Sequence, residues 1–191
     1  MPKVGMEPIR RAALVEATIA EIGEAGSLDV TVSRIAKRAG MSSALAHHYF
    51  GSKDDMFLAA MRQILRDYSA EVRGHLAQAT TPLARAEAII RANFARSCFD
   101  PSTVSAWMTF YSQAQTNPAA LHLLRLYQRR LRSNLTHALR PLSDQPRRDA
   151  DTLAALIDGL YIRAALTAPG EPREAVDHAL RVLDMLLKDQ P

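Results

Sequence analysis

The sequence is poor in the residues that build disulfide frameworks, membrane spans and β-sheets. Its 191 residues include a single cysteine, Cys98, so no disulfide can form within the chain. Aromatic residues make up 6% of the chain, and no apolar run approaches the ~20 residues that cross a bilayer. There is no strand-like alternation, signal peptide, metal-ligand spacing, nucleophile elbow or phosphate loop. We therefore expect an all-α, cytoplasmic, non-enzymatic protein without metal or cofactor; a helical enzyme is a remote alternative.

Proline and glycine divide the chain into about nine helical segments. The first spans residues 8–25 and ends at Gly26, and a longer one spans residues 53–79. Further helices are expected at residues 82–99, around Trp107, at 118–139, 148–167 and 171–188. We predict two domains: a three-helix domain at residues 1–52 and a larger helical domain at 53–191, joined by the 53–79 helix.

Residues 30–53 contain no acidic side chain but four basic ones: Arg34, Lys37, Arg38 and Lys53. The net charge of the whole chain is only +4, so this segment carries a local excess of positive charge. Phosphate binding depends on such an excess. The sequence therefore predicts contact with a nucleic acid at this segment.

The same segment has the pattern of two short helices joined by a glycine turn. Thr31 is placed to cap the first helix, whose apolar stripe has helical spacing: Val32, Ile35, Ala36 and Ala39. Gly40 can adopt the left-handed conformation of a sharp turn, and Ser42 is placed to cap the second helix, which we expect to continue through Tyr49. This pattern predicts a helix-turn-helix, although an ordinary helical hairpin is an alternative.

The second helix of this motif presents a small, polar face. Leu45 and Phe50 are expected to point inward, and Ser43, Ala44, His47 and His48 outward. Such a face suits the major groove, and Lys53 suits a phosphate. The histidines serve either as neutral hydrogen-bonding groups or as titrating contacts to phosphates. The predicted DNA-binding residues are Thr31, Ser33, Ser42, Ser43, Ala44, Leu45, His47, His48, Tyr49 and Lys53.

Aromatic side chains and one acid indicate a site for a small cation. Trp107, Phe110 and Tyr111 share one helical face, and Asp158 and Tyr161 share another. Aromatic rings and a carboxylate together attract quaternary ammonium ions, of which choline is an example. Two alternatives remain: the three rings are plain core, or Asp158 pairs with a basic residue such as Arg125 or Arg163.

The last two helices carry more apolar residues than one buried stripe requires, and Ala155, Gly159 and Ala165 would allow close approach of another helix. We therefore expect a homodimer through these helices, since helix-turn-helix proteins commonly pair to grip two half-sites. The apolar residues are Leu153, Leu156, Ile157, Leu160, Ala164, Val176, Leu180, Leu183, Leu186 and Leu187. Residues 125–148 hold seven arginines and one acid, a pattern typical of a solvated helix face.

Residues 10–56 resemble the DNA-binding domain of the TetR family of repressors. The matching positions are Thr31, Ile35, Ala36, Ala39, Gly40, Ser42, Tyr49, Phe50, Ser52 and Lys53. Ala44, Ala46 and His47 replace residues that are frequent in the family, so the operator sequence cannot be carried over. The segments WMTFYSQAQ, RRLRSNL and ALIDGLYIRAAL are similar to choline-responsive members that control glycine-betaine synthesis genes. This resemblance implies a repressor released from double-stranded operator DNA by choline; a regulator of the same type that answers another small molecule is the alternative.

Overall fold

The computed structural model describes residues 5–167 and 172–188. Within these ranges it contains nine α-helices, one 3₁₀ turn at Arg96–Phe99 and no strand, which confirms the predicted all-α class. The helices are α1 (Met6–Ala25), α2 (Val32–Arg38), α3 (Ser43–Phe50), α4 (Lys53–Ala77), α5 (Pro82–Asn93), α6 (Pro101–Gln113), α7 (Pro118–Leu139), α8 (Pro146–Thr167) and α9 (Arg173–Lys188).

Several helix ends differ from the sequence prediction. The helix predicted to reach residue 99 stops at Asn93 and is followed by the 3₁₀ turn. The second helix of the motif ends at Phe50 rather than Tyr49, and α4 ends at Ala77. α8 begins at Pro146, because proline needs no hydrogen-bond acceptor in the first turn of a helix. The start predicted for the last helix, residue 171, lies outside the described residues.

The chain divides into two compact units. The first, here called the head unit, contains the chain through Leu65 together with Pro101–Leu123. Its largest fully buried side chains come from α1, α2, α4 and α6: Leu14, Ile22, Ile35, Met56, Phe57, Met61 and Phe110. The second, the body unit, contains Arg66–Asp100 and the chain from Leu124 onward. The predicted functional boundary between residues 52 and 53 stays a prediction.

Helix α6 packs against α1 within the head unit, although the sequence analysis assigned residues 101–123 to the larger domain. Gly23 permits this close approach. A Cβ atom at position 23 would lie 2.5 Å from the Cα atom of Ser102. The Ser105 hydroxyl also donates to the Gly23 carbonyl at 3.4 Å. The aromatic residues of α6 are therefore in the same compact unit as the helix-turn-helix.

In the body unit α5, α8 and α9 pack together, and α7 contributes buried leucines to the core. The fully or almost fully buried side chains are Ile89, Ile90, Leu131, Leu135, Leu139, Leu153, Ile157 and Leu183. Over the described residues, every helix is too short or too polar to traverse a lipid bilayer.

Candidate DNA-binding face and effector site

The helix-turn-helix has the caps that its sequence predicts. The Thr31 hydroxyl accepts a hydrogen bond from the Arg34 N–H, and the Ser42 hydroxyl accepts one from the Leu45 N–H, each at 3.2 Å. Gly40 has a φ of +68°, in the left-handed region that favours glycine. These local contacts set where α2 ends and where α3 begins.

Helix α3 is held to the head unit mainly by Ala46, which is fully buried. Leu45 and Phe50, expected to point inward, are only half-buried. Ala44, His47 and His48 are exposed, as expected for a groove-facing surface, and Ser43 is half-buried. Ala46, which stands where leucine is frequent in the family, is thus the buried position of α3.

The two histidines of α3 have different surroundings. His47 Nδ1 donates to the Gly51 carbonyl at 2.8 Å, so its Nε2 atom is the one that remains for another partner. The ring of His48 lies edge-on to the ring of Tyr49, with 5.5 Å between their centroids. His47 is therefore oriented by its own helix end, a contact that the sequence spacing did not reveal.

The C-terminal end of α3 is tied to α1 by two arginines that the sequence analysis did not select. Arg11 Nη1 donates to the Tyr49 carbonyl at 2.5 Å, and its guanidinium lies 4.5 Å from the centroid of the Phe50 ring. Arg10 Nη1 lies 3.4 Å from the Tyr49 hydroxyl. These contacts orient Tyr49, which is one of the predicted DNA-binding residues.

Acidic residues of α1 neutralise part of the positive charge of α2. Glu21, 4% exposed, accepts from Arg38 Nε at 2.6 Å and pairs with Arg34 Nη2 at 2.9 Å. The hydrogen bond from Arg38, with the positive charge of both arginines, holds the pKa of Glu21 below its usual range. Glu24 pairs with Arg38 at 2.5 Å. Two of the four basic residues predicted to face phosphates are thus occupied within the protein.

The other two basic residues are placed differently. Lys37 is exposed and forms no ion pair with any described residue. Lys53 is half-buried, and its Nζ donates to the Leu28 carbonyl at 3.0 Å. An ammonium has three donors, so two remain for a phosphate. The contact between Lys53 and a phosphate stays a prediction.

The predicted aromatic triplet is brought together in the head unit. The Trp107 centroid lies 5.6 Å from that of Phe110 and 5.9 Å from that of Tyr111. Phe110 is fully buried and also contacts Phe57. Phe110 therefore contributes to the core, Tyr111 is half-buried, and contact of either with a ligand stays a prediction.

Asp158 lies in the body unit, on α8, and its neighbour is a tyrosine rather than a basic residue. The Tyr127 hydroxyl donates to Asp158 Oδ1 at 3.0 Å. Neither Arg125 nor Arg163 forms an ion pair with it, and no other described residue does so. Burial raises the pKa of Asp158 to about 6, although the hydrogen bond from Tyr127 opposes this. Removing a carboxylate from water without a positive partner is costly, and Asp158, which is half-buried, has none among the described residues.

Aromatic rings of α4, α7, α8 and the 3₁₀ turn form two pairs in the body unit. The rings of Tyr68 and Tyr127 lie 5.5 Å apart, and those of Phe99 and Tyr161 lie 5.1 Å apart. The Tyr161 hydroxyl donates to the Cys98 carbonyl at 2.9 Å. The sequence analysis found Tyr161 but missed Tyr68, Tyr127 and Phe99, because these lie on other elements than Asp158.

Asp158 also borders a cavity of about 410 Å³ between α7 and α8. Arg125, Arg129 and Arg132 line this cavity, so a cation would be repelled from it.

Comparison with known proteins identifies the family of the chain. The model of the bacterial regulatory proteins of the tetR family matches residues 14–60, and that of the BetI-type transcriptional repressor C-terminal domain matches residues 82–188. The HTH-type transcriptional regulator BetI of Brucella suis is 52% identical over 170 residues, or 88% of this chain and 86% of the relative. The chain belongs to the TetR family, with a BetI-type C-terminal domain.

Solved TetR-type structures support the same fold. A Pseudomonas aeruginosa PAO1 protein described as a transcriptional regulator is 26% identical, with a TM-score of 0.83 over 95% of this chain and 92% of that one. A regulator of Saccharomonospora viridis, solved in complex with choline, is 23% identical, with a TM-score of 0.77 over 94% and 95% of the two chains. This TetR-family chain is thus a DNA-binding transcriptional repressor, as the sequence predicted.

The predicted dimer residues of this BetI-type body divide into two groups. Four of them, including Leu153 and Leu183, are buried within the body unit itself. The remaining six are half-buried: Leu156, Ala164, Val176, Leu180, Leu186 and Leu187. Leu166 and Met185, on the same two helices, are 67% and 60% exposed. The apolar surface of α8 and α9 is therefore only partly covered within one chain.

Proposed function

We propose that this repressor binds its operator as a homodimer in the cytoplasm and is released from it by choline, so that it controls choline-to-glycine-betaine genes. The observation that carries the proposal is the half-buried carboxylate of Asp158, which accepts a hydrogen bond from Tyr127, itself packed against the Tyr68 ring, and forms no ion pair with any described residue. The regulator of Saccharomonospora viridis that has the same fold and was solved in complex with choline supports this ligand class.

The proposed DNA contact is the exposed face of α3, supported by the caps on either side of it. Ala44, His47 and His48 would enter the major groove, where Nε2 of His47 is available to a base edge. Thr31, Ser33, Ser42 and Lys53, at or near the ends of α2 and α3 and the start of α4, would contact phosphates and fix the register. Arg10 and Arg11 would act as positioning residues for Tyr49.

The proposed effector contact combines the carboxylate of Asp158 with aromatic ring faces. A quaternary ammonium is permanently charged and cannot donate a strong hydrogen bond. It therefore does not need a hydrogen-bond acceptor at a defined position. Ring faces attract such a cation by about 2 kcal/mol when it is desolvated. Tyr127 is the ring in contact with Asp158, and the paired rings of Phe99 and Tyr161 lie in the same unit. Trp107, Phe110 and Tyr111 remain a separate candidate cluster in the head unit.

We infer a two-state switch, because a ligand shifts a conformational equilibrium only by its differential affinity for the two states. Helix α4 begins beside α3 and continues into the body unit, so a change in its tilt would move the recognition helix. Helix α6 packs against α1 at Gly23, so a movement of α6 within the head unit would also reach the helix-turn-helix. In a dimer, either movement would change the distance between the two recognition helices and release the DNA.

The proposed dimer uses the partly covered surface of α8 and α9. Gly159 on α8 is exposed, and a Cβ atom there would meet nothing within 4 Å in the single chain. We expect Gly159→Tyr to leave the protomer folded but to place a ring in the dimer interface, giving a monomer in light scattering. Gly74→Tyr on α4 is the matched control, because Gly74 is equally exposed and open and should leave the dimer intact. Dimers in both variants would place the interface elsewhere.

The decisive experiment measures DNA binding with and without choline. Fluorescence anisotropy should show tighter binding to the DNA upstream of the gene that encodes this protein than to a random duplex. The affinity should fall steeply as the salt concentration rises. Choline should weaken specific binding, while ethanolamine, which lacks the quaternary nitrogen, should do so far less. His48→Ala should weaken operator binding, whereas His122→Ala, an exposed histidine of α7, should not. Equal affinity for both duplexes, or no response to choline, would contradict the proposal.

A further inference from the structure

Arginines of α7 form a stripe along one face of that helix. Arg125, Arg129 and Arg132 have the spacing i, i+4 and i+7, which places them on one side. Arg140 continues the stripe one residue beyond the end of α7, and its N–H still bonds to the Thr136 carbonyl at 3.1 Å. By contrast, Arg130 lies on another face and donates to Ser69 at 3.2 Å. Most of these arginines therefore share one face of α7 and are not distributed evenly around the helix.

The C-terminal part of this arginine stripe lines a cavity. Arg129, Arg132 and Arg140 border a cavity of about 590 Å³, and Arg147 from the first turn of α8 completes its wall. We call this cavity the arginine groove. Ser133 and Asp151 also line it. A volume between about 300 and 1,000 Å³ is usual for small-molecule sites.

The charges in the arginine groove are poorly balanced. Asp151 is its only carboxylate, and it lies 3.5 Å from Arg132, both being more than half exposed. Arg129, Arg140 and Arg147 form no ion pair with any described residue. An exposed pair stabilises a protein by less than about 1 kcal/mol, so Asp151 cannot account for four converging guanidinium groups. A solvated helix face would have no reason to gather them in one cavity.

We propose that the arginine groove binds a small anion with two or more negative charges, distinct from the cationic effector and separate from the DNA-binding face. Guanidinium groups bind phosphate and carboxylate through paired, charge-assisted hydrogen bonds, which matches this lining. The hydroxyl of Ser133 supplies a further polar contact. The site is concave and lies in the body unit, which favours a compact ligand over duplex DNA. Phosphorylated and polycarboxylate metabolites are the two sources of such an anion.

Isothermal titration calorimetry with pyrophosphate and with citrate tests the proposal and separates the two sources. We expect saturable binding of one ligand per chain for at least one of them, against matched chloride. Arg140→Gln combined with Arg147→Gln should weaken it at least tenfold. Arg73→Gln combined with Arg148→Gln is the control, since both residues are exposed in the body unit outside the groove and the charge lost is the same.

A variant that retains every arginine distinguishes a built site from a diffuse positive field. Ser133→Tyr places a ring in the arginine groove and should weaken anion binding at least fivefold, with an unchanged thermal melt. The proposal is overturned if neither anion saturates the protein at millimolar concentration or if both double variants lose the same affinity. It is also overturned if the groove variant loses affinity for random duplex DNA while its control does not, since the groove would then bind nucleic acid.

Discussion

Two acids of this repressor, Glu21, which is buried, and Asp158, which is half-buried, have opposite surroundings. Glu21 in the head unit is paired with two arginines, which hold its pKa below the usual range. Asp158 in the body unit accepts a hydrogen bond from the Tyr127 hydroxyl and forms no ion pair with any described residue, and its partial burial raises its pKa to about 6. The first carboxylate is already neutralised by the protein, and the second is not.

The difference separates an acid that the protein itself neutralises from one that has no positive partner among the described residues. A buried charge costs free energy unless an opposite charge meets it. At Glu21 that charge comes from α2, so the pair fixes the first helix of the motif against α1. At Asp158 no described side chain supplies a positive charge. The full electrostatic attraction of the carboxylate would therefore be available to a bound cation. The comparison therefore predicts that removing the charge of Glu21 lowers the stability of the fold, whereas removing the charge of Asp158 lowers the affinity for choline.

The largest expected effect is that of Asp158→Asn on choline binding. The substitution removes the counter-charge but preserves the side-chain shape, so we expect choline affinity to fall about a hundredfold, as for other truncated buried charge pairs. Operator affinity without choline should not change. Calorimetry and anisotropy measure the two quantities. Asp151→Asn, an exposed acid on the same helix, is the control, and an unchanged affinity in the Asp158 variant would assign the cation to another site.

The pH dependence of choline binding sharpens the same comparison. Since choline does not titrate, its affinity should follow the ionised fraction of Asp158, whose pKa is about 6. Affinity should be constant above about pH 7 and fall about tenfold by pH 5. The Asp158→Asn variant should show no such slope. If the wild-type profile is equally flat over this range, the carboxylate does not bind the cation.

Glu21→Gln tests the other acid. The substitution leaves Arg34 and Arg38 without their buried counter-charge. We expect the free energy of unfolding in urea to fall by about 1–2 kcal/mol, which is less than for a fully buried ion pair because both arginines are partly exposed. The contribution of Glu21 is present above its unfolded pKa and lost as pH falls through its lower folded pKa, so the difference from wild type should shrink in acid. Choline affinity should be unaffected.

Glu24→Gln is the matched control for that substitution. Glu24 is more than half exposed and pairs only with Arg38, so its loss should cost less than about 0.5 kcal/mol. Equal destabilisation in the two variants would mean that the burial of Glu21 is not what fixes α2.

Local sequence rules predicted the helix-turn-helix well. Capping depends on residues three positions apart, and a glycine turn depends on one residue, so Thr31, Gly40 and Ser42 could be assigned from the sequence. The family followed from the same positions. The 3₁₀ turn at Arg96–Phe99 was missed because no proline or glycine marks the end of α5 at Asn93.

Contacts between distant residues could not be predicted in this way. Glu21 lies outside the basic segment that it neutralises, and Tyr127 lies on a different helix from Asp158. Nothing in the spacing of either sequence segment encodes these pairings, because they depend on how the helices pack. The same limit applies to the arginine groove, where helical spacing aligns the arginines of α7 but cannot show that Arg147 faces them.

The smallest expected effect, that of Tyr127→Phe, tests whether the protein tunes Asp158 at all. The Tyr127 hydroxyl favours the ionised carboxylate, so its removal should raise the pKa of Asp158 further and move the midpoint of the choline profile to higher pH. Affinity at neutral pH should then fall about three- to fivefold, in line with one hydrogen bond. Tyr161→Phe also removes a hydroxyl, but one that bonds to the Cys98 carbonyl, so it should leave the midpoint in place. A midpoint that moves equally in both variants would attribute the shift to altered packing, and the hydroxyl of Tyr127 would then have no specific part in preparing Asp158 for a cation.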